Sequence, residues 1–98
     1  MNAREAVDVA KAAAPEFGVP ASYAAQEAEL RIVELVAGAP IRDELPPPGP
    51  VFDRKAWVVQ FAAGILWVEL TVDDDTARIV RVRRSRSAAQ AIEAQSNG

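Results

Sequence analysis

The sequence predicts an α+β domain in which one N-terminal helix packs on an antiparallel sheet of three or four strands. Three observations carry that expectation. Residues 3–14 repeat small apolar side chains at helical spacing, residues 55–84 alternate apolar and polar side chains in strand fashion, and residues 29–36 are rich in β-branched and aliphatic side chains. At 98 residues the chain is one domain, with a core of modest size. Half of the residues are apolar and 26% are charged, which is globular composition.

In the first segment Ala6, Val7, Ala10 and Ala14 fall at i, i+1, i+4 and i+8, one stripe of a 3.6-residue helix. Asn2 is the expected N-cap, and Glu5 three residues later completes a capping box. Pro15 and the following "FGVP" end the helix. Its alanine-rich face suits close packing on a sheet.

Residues 24–37, "AAQEAELRIVELVA", fit a helix through Leu30, Val33 and Ala37, and a strand through Leu30, Ile32 and the aliphatic clusters. The β-branched second half favours a strand over 29–36, with a helical turn before it. Residues 38–50 then hold five of the seven prolines, so they are neither helix interior nor central strand. A stiff connecting loop is the expectation.

From Lys55 onward the pattern reads as three antiparallel strands, over 55–62, 65–73 and 78–84. Trp57, Val59 and Phe61 share one face of the first, and Leu66, Val68, Leu70 and Val72 one face of the second. A two-residue turn at Ala63-Gly64 would set Phe61 opposite Leu66 and Val59 opposite Val68, with both apolar rows on one side. In the third strand Val80 and Val82 are expected on that same side, covered by helix 3–14. The tail, residues 87–98, reads as a short helix or disorder.

Asp73, Asp74 and Asp75 could offer oxygens to a cation, but the spacing of an EF-hand loop is missing. Aspartate carboxylates also bond the backbone two residues on, and a turn is the expectation. Beyond the turn come Arg78, Arg81, Arg83, Arg84 and Arg86. Alternation sends Arg81 and Arg83 to the face opposite Val82, beside Trp67, Glu69 and Thr71 of the neighbouring strand. There an arginine can stack on Trp67 or pair with Glu69. Trp57 belongs to the opposite, core face.

Composition excludes much chemistry. With neither cysteine nor histidine there is no thiolate, no disulfide and no imidazole base. The pair Asp43/Glu44 lies in the proline-rich loop without rigid support, so no enzyme, cofactor or metal site is expected. The net charge of −3 gives no general attraction for nucleic acid. No segment is apolar enough to cross a bilayer, and residues 1–17 lack the apolar core of a signal peptide. The chain as given is therefore expected in the cytoplasm, or outside it had an upstream signal been removed.

The order of "NAREAVDVAKAAAP", "AWVVQF" and "VELTVDDDTARIVRVR" resembles the PepSY domain, a small cystatin-like α+β module. The matching positions are Trp57 to Phe61, Val72, Asp73, Thr76 and Ile79 to Val82. Ala77 stands where that family usually has glycine, and the insert at 38–50 is longer than usual. The resemblance implies a non-enzymatic domain that binds or restrains a protein partner, in some members a peptidase, and supplies no catalytic residues.

The function expected is a protein-interaction module, with its partner on the open sheet face around Trp67, Glu69, Arg81 and Arg83. Residues 46–50 are a further candidate surface. Self-association as a homodimer, through that face or a sheet edge, would also cover the surface. A small-ligand domain and a weak nucleic-acid binder acting through the arginine-rich strand are the alternatives.

Overall fold

The computed structural model describes residues 1–36 and 49–85. One helix, α1 (Ala3–Ala13), precedes five strands: β1 (Ala24–Ala25), β2 (Glu29–Val36), β3 (Val51–Ala63), β4 (Leu66–Asp73) and β5 (Ile79–Arg84). The expected α+β class is therefore observed, with five strands in the sheet rather than the three or four expected, because residues 24–25 also pair with β3. The proline-rich insert, apart from residues 49 and 50, and the tail expected over 87–98 lie outside the described residues.

Asn2 caps α1 as expected. The Glu5 amide donates to Asn2 Oδ1 at 2.9 Å, and the Asn2 amide donates to Glu5 Oε1 at 3.2 Å. Ala6, Ala10 and Ala14 are buried against the sheet and Val7 is half-buried. After Pro15 the chain reverses through Gly18, whose φ of +72° suits glycine, and buries Val19.

All strand pairs are antiparallel, and β3 is the spine. It is longer than the sequence indicated, because residues 51–54 extend it to pair with the far half of β2. The strand expected over 29–36 is β2. The helical turn expected before it is instead the two-residue strand β1, which pairs with Ala62 and Phe61 farther along the same edge of β3. Between β1 and β2, residues 26–28 face only Val59 and Gln60. This bulge puts Ala28 in the core, and the Gln26 amide donates to the Gln60 carbonyl at 2.8 Å.

The β3–β4 hairpin turns at Gly64-Ile65, one residue later than expected. Phe61 faces Val68, Val59 faces Leu70 and Trp57 faces Val72. The slip is two positions in the pairing, so each apolar row keeps its face. Its cause is Gly64: a φ of +64° at the first turn position matches the backbone of a tight hairpin, and the shifted ladder sets Val72 against Trp57, where the expected register would have set it against Lys55. Val80 also departs from expectation. A bulge between Thr71 and Val72 passes over it, so Ile79 faces Val72 and occupies the core place. Val82 faces Leu70 as the alternation required.

The main core lies between α1 and this side of β3, β4 and β5, centred on Val59, Leu70 and Val72. The other side carries a smaller cluster of Val33, Ala56 and Val58, joined by Leu35.

Candidate functional site: the arginine-bearing sheet face

The side of the sheet away from α1 is built by parity. In β4 it receives Trp67, Glu69, Thr71 and Asp73; in β5 it receives Arg81 and Arg83. Register then sets Thr71 opposite Arg81 and Glu69 opposite Arg83. The four residues singled out in the sequence, Trp67, Glu69, Arg81 and Arg83, are thus brought to one face. Trp57 is on the other, half-buried against the core, and its Nε1–H donates to Asp74 Oδ1 at 2.7 Å.

The pairing expected between an arginine and Glu69 is not made. Among the described residues the ion pairs are elsewhere, and neither Arg81 nor Arg83 joins Glu69. Burial of its guanidinium and the nearby Arg83 charge lower the pKa of Arg81; Glu69 opposes that, and Arg31 of β2 adds to it. Arg31 itself is held by Glu29, whose Oε2 accepts from its Nη2 at 2.7 Å.

Two polar atoms of this face are buried without a hydrogen bond: Thr71 Oγ1 and Arg81 Nε. They belong to directly opposed residues, and Thr71 is only 1% exposed. A buried donor left unpaired costs about 1–3 kcal/mol, so two on one strand pair call for a physical reason. Trp67 is half-buried rather than exposed. Its amide donates to Ser85 Oγ at 2.8 Å, and its carbonyl accepts from the Ser85 amide at 2.9 Å. Beside it, Gly18, Tyr23, Leu66 and Arg84 help to line a cleft of about 170 Å³. The Arg84 Nη2 donates to the Phe17 carbonyl at 3.0 Å.

At the other end of the face lies a network the sequence revealed only in part. The aspartate run is a turn, and Asp73 organises it. Its carboxylate accepts two bonds from Arg54, Nε to Oδ1 at 2.8 Å and Nη2 to Oδ2 at 2.9 Å. Oδ2 also accepts from the Thr76 amide at 2.8 Å, the Thr76 hydroxyl at 2.9 Å and the Asp75 amide at 3.2 Å. The Arg54 bonds, with help from Thr76, hold this buried carboxyl far below the usual carboxylate range despite its desolvation. The aspartate turn preference was readable from sequence. Arg54 was missed because it stands before the expected strand start at 55, and Arg31 because it reaches the cluster only through the β2–β3 register.

The turn closes on Ala77, whose φ of +58° is a conformation that favours glycine. The chain matches no family model, no curated protein and no solved structure.

Proposed function

We propose that this chain is a non-catalytic protein-interaction domain that receives an acidic segment of a partner protein on the sheet face of Trp67, Glu69, Arg81 and Arg83. The observation that carries the reading is the opposed pair of unsatisfied groups, Thr71 Oγ1 and Arg81 Nε. Both can donate, both are buried, and Arg83 beside them is exposed without an ion pair to Glu69. An incoming carboxylate at the exposed Arg83 would supply the countercharge, and by drawing the half-buried Arg81 guanidinium outward it would also supply the acceptor that Nε lacks; charge-assisted bonds of this kind are the stronger ones. Trp67 at the margin supplies the aromatic surface typical of binding hot spots.

A small-ligand domain is less well supported. Among the described residues, the cleft beside Trp67, at about 170 Å³, is below the roughly 300 Å³ at which ligand pockets begin, and so does not itself favour that reading. A nucleic-acid surface would need more aromatic platforms than one tryptophan, and the chain is net acidic. The helix followed by an antiparallel meander, and a glycine-like backbone at Ala77, support the PepSY-like reading, in which a domain of this kind restrains a partner.

Immobilised wild-type protein and a Trp67→Ala/Arg81→Ala variant, each challenged with lysate from the source cell, test the proposal. A protein retained only by wild type, and displaced by a glutamate-rich peptide, is the expected result. Retention of nuclease-sensitive material, or equal retention by both proteins, would contradict it.

A further inference from the structure

A second surface lies at the far edge of the sheet. β2 is an edge strand eight residues long, and among the described residues no strand pairs with its outer side. Such an edge presents unpaired N–H and C=O groups to any chain that can align with them. On the α1 side of the sheet, α1 packs over β3 and β4 but leaves β2 uncovered, so Leu30 is 41% and Ile32 67% exposed. These two apolar residues are neighbours at i and i+2 on the same face of the strand.

We propose that β2 pairs with β2 of a second copy of this chain, antiparallel about a two-fold axis passing at Arg31. The register follows from symmetry. A two-fold axis normal to the sheet makes opposed residues share a face, so the axis must pass at a residue rather than between two. Centred at Ile32, the pairing sets Leu30 against Glu34 and Arg31 against Val33. Centred at Val33, it sets Ile32 against Glu34. Centred at Arg31, it sets Leu30 against Ile32 twice, which joins the two exposed apolar pairs into one patch.

The charges agree with the last arrangement. The two Arg31 side chains meet at the axis, but each is already bound to its own Glu29 at 2.7 Å. The copy's Glu29 lies on the diagonal, within reach of a long side chain. Two arginines and two glutamates then form one neutral group. The opposite edge of the sheet is unsuited to the same pairing, since β5 carries Arg81, Arg83 and Arg84 and a bulge at Val80. Like charges and a bulge both deter strand addition.

The chain contains no cysteine, so single introduced cysteines report the register directly. Directly opposed residues of an antiparallel pair have Cα atoms about 4.5–5.5 Å apart, which suits a disulfide, while diagonal ones do not. Under mild oxidation Arg31→Cys should form a covalent dimer, and Ile32→Cys and Val33→Cys should form it at least ten times more slowly. Wild type should sediment as a dimer at about 100 µM, as a dissociation constant of about 10 µM or below requires, and Ile32→Glu as a monomer with an unchanged circular dichroism spectrum. A monomeric wild type overturns the proposal. Faster crosslinking by Ile32→Cys or Val33→Cys overturns the register, and with it the charge arrangement. Trp67, Glu69, Arg81 and Arg83 are unchanged in every one of these variants, so failure of the edge pairing is distinguishable from failure of the acidic-partner reading, which the Trp67→Ala/Arg81→Ala comparison tests separately.

Discussion

The two hairpins that bound β4 are held by different physics. The β3–β4 turn is Gly64-Ile65 alone: Ile65 is 89% exposed, and a Cβ at position 64 would meet nothing within 4 Å. Its geometry comes from the backbone freedom of one glycine and from the ladder on either side. The β4–β5 connection is longer and irregular, and a single side chain fixes it. Asp73 ties together Arg54 of β3, the amides of Asp75 and Thr76, and the Thr76 hydroxyl. One turn is encoded by what a residue lacks and the other by what a residue gathers. Substitutions should therefore act through strain at the first and through lost bonds at the second.

The largest effect is expected at Asp73. Asp73→Ala removes five accepted bonds, strands the part-buried amides and hydroxyl of the turn, and leaves Arg54 only its longer contact to Asp75 at 3.9 Å, which should cost about 3 kcal/mol in urea unfolding. A loss below about 1 kcal/mol would mean that the turn is held by its ladder, as at Gly64. The same residue sets the acid limit. Its folded pKa lies below its unfolded value of about 3.9, so the folded state holds fewer protons there. Its contribution should be complete above about pH 5 and fall away as the pH drops below about 4. Unfolding followed from pH 6 to pH 2 should show that decline in wild type and a flatter curve in Asp73→Ala.

Gly64→Ala comes next. With no steric neighbour, the cost is that of a left-handed backbone on alanine, about 1 kcal/mol. Ala77→Gly is the mirror test at the other hairpin and the smallest expected change. It relieves the same strain at φ +58° but adds unfolded-chain entropy, for a net gain of about 0.5 kcal/mol. Opposite signs at positions 64 and 77, measured in one denaturant series, would show that left-handed backbone strain is common to both turns, so that the contrast between them rests on Asp73 alone. A destabilising Ala77→Gly would mean that the bonds of Asp73 already hold position 77 without strain.

How much was legible follows from which residues carry short-range information. The capping box at Asn2 and Glu5, the alternation through β3 and β4, and the acidic turn each depend on neighbours within a few positions, and each is present in the structure. The face shared by Trp67, Glu69, Arg81 and Arg83 was legible for the same reason, since parity alone decides it. What was misread involves counting across a turn or between distant segments. The hairpin register slipped by two because Gly64 can occupy either turn position. Val80 was placed in the core because the alternation Val80, Arg81, Val82, Arg83 runs on without a mark of the bulge. Arg54 and Arg31 depend on β2 and β3 meeting across the proline-rich insert, which no local pattern announces. The small cluster of Val33, Ala56 and Val58 was missed with them, and so a face expected to be open is buried at its middle.

The reading of that face rests on one pair of atoms, and the side-chain Nε–H of Arg81 can be observed directly. In proton–nitrogen correlation spectra at low temperature, a glutamate-rich peptide titrated into the protein should shift the Arg81 Nε–H resonance downfield, together with the amides of Thr71 and Arg83. The shifts should be absent with a glutamine-rich peptide of equal length and should weaken with salt. An Arg81 resonance that stays in place, while shifts appear elsewhere or nowhere, would contradict the assignment of this face to an acidic partner.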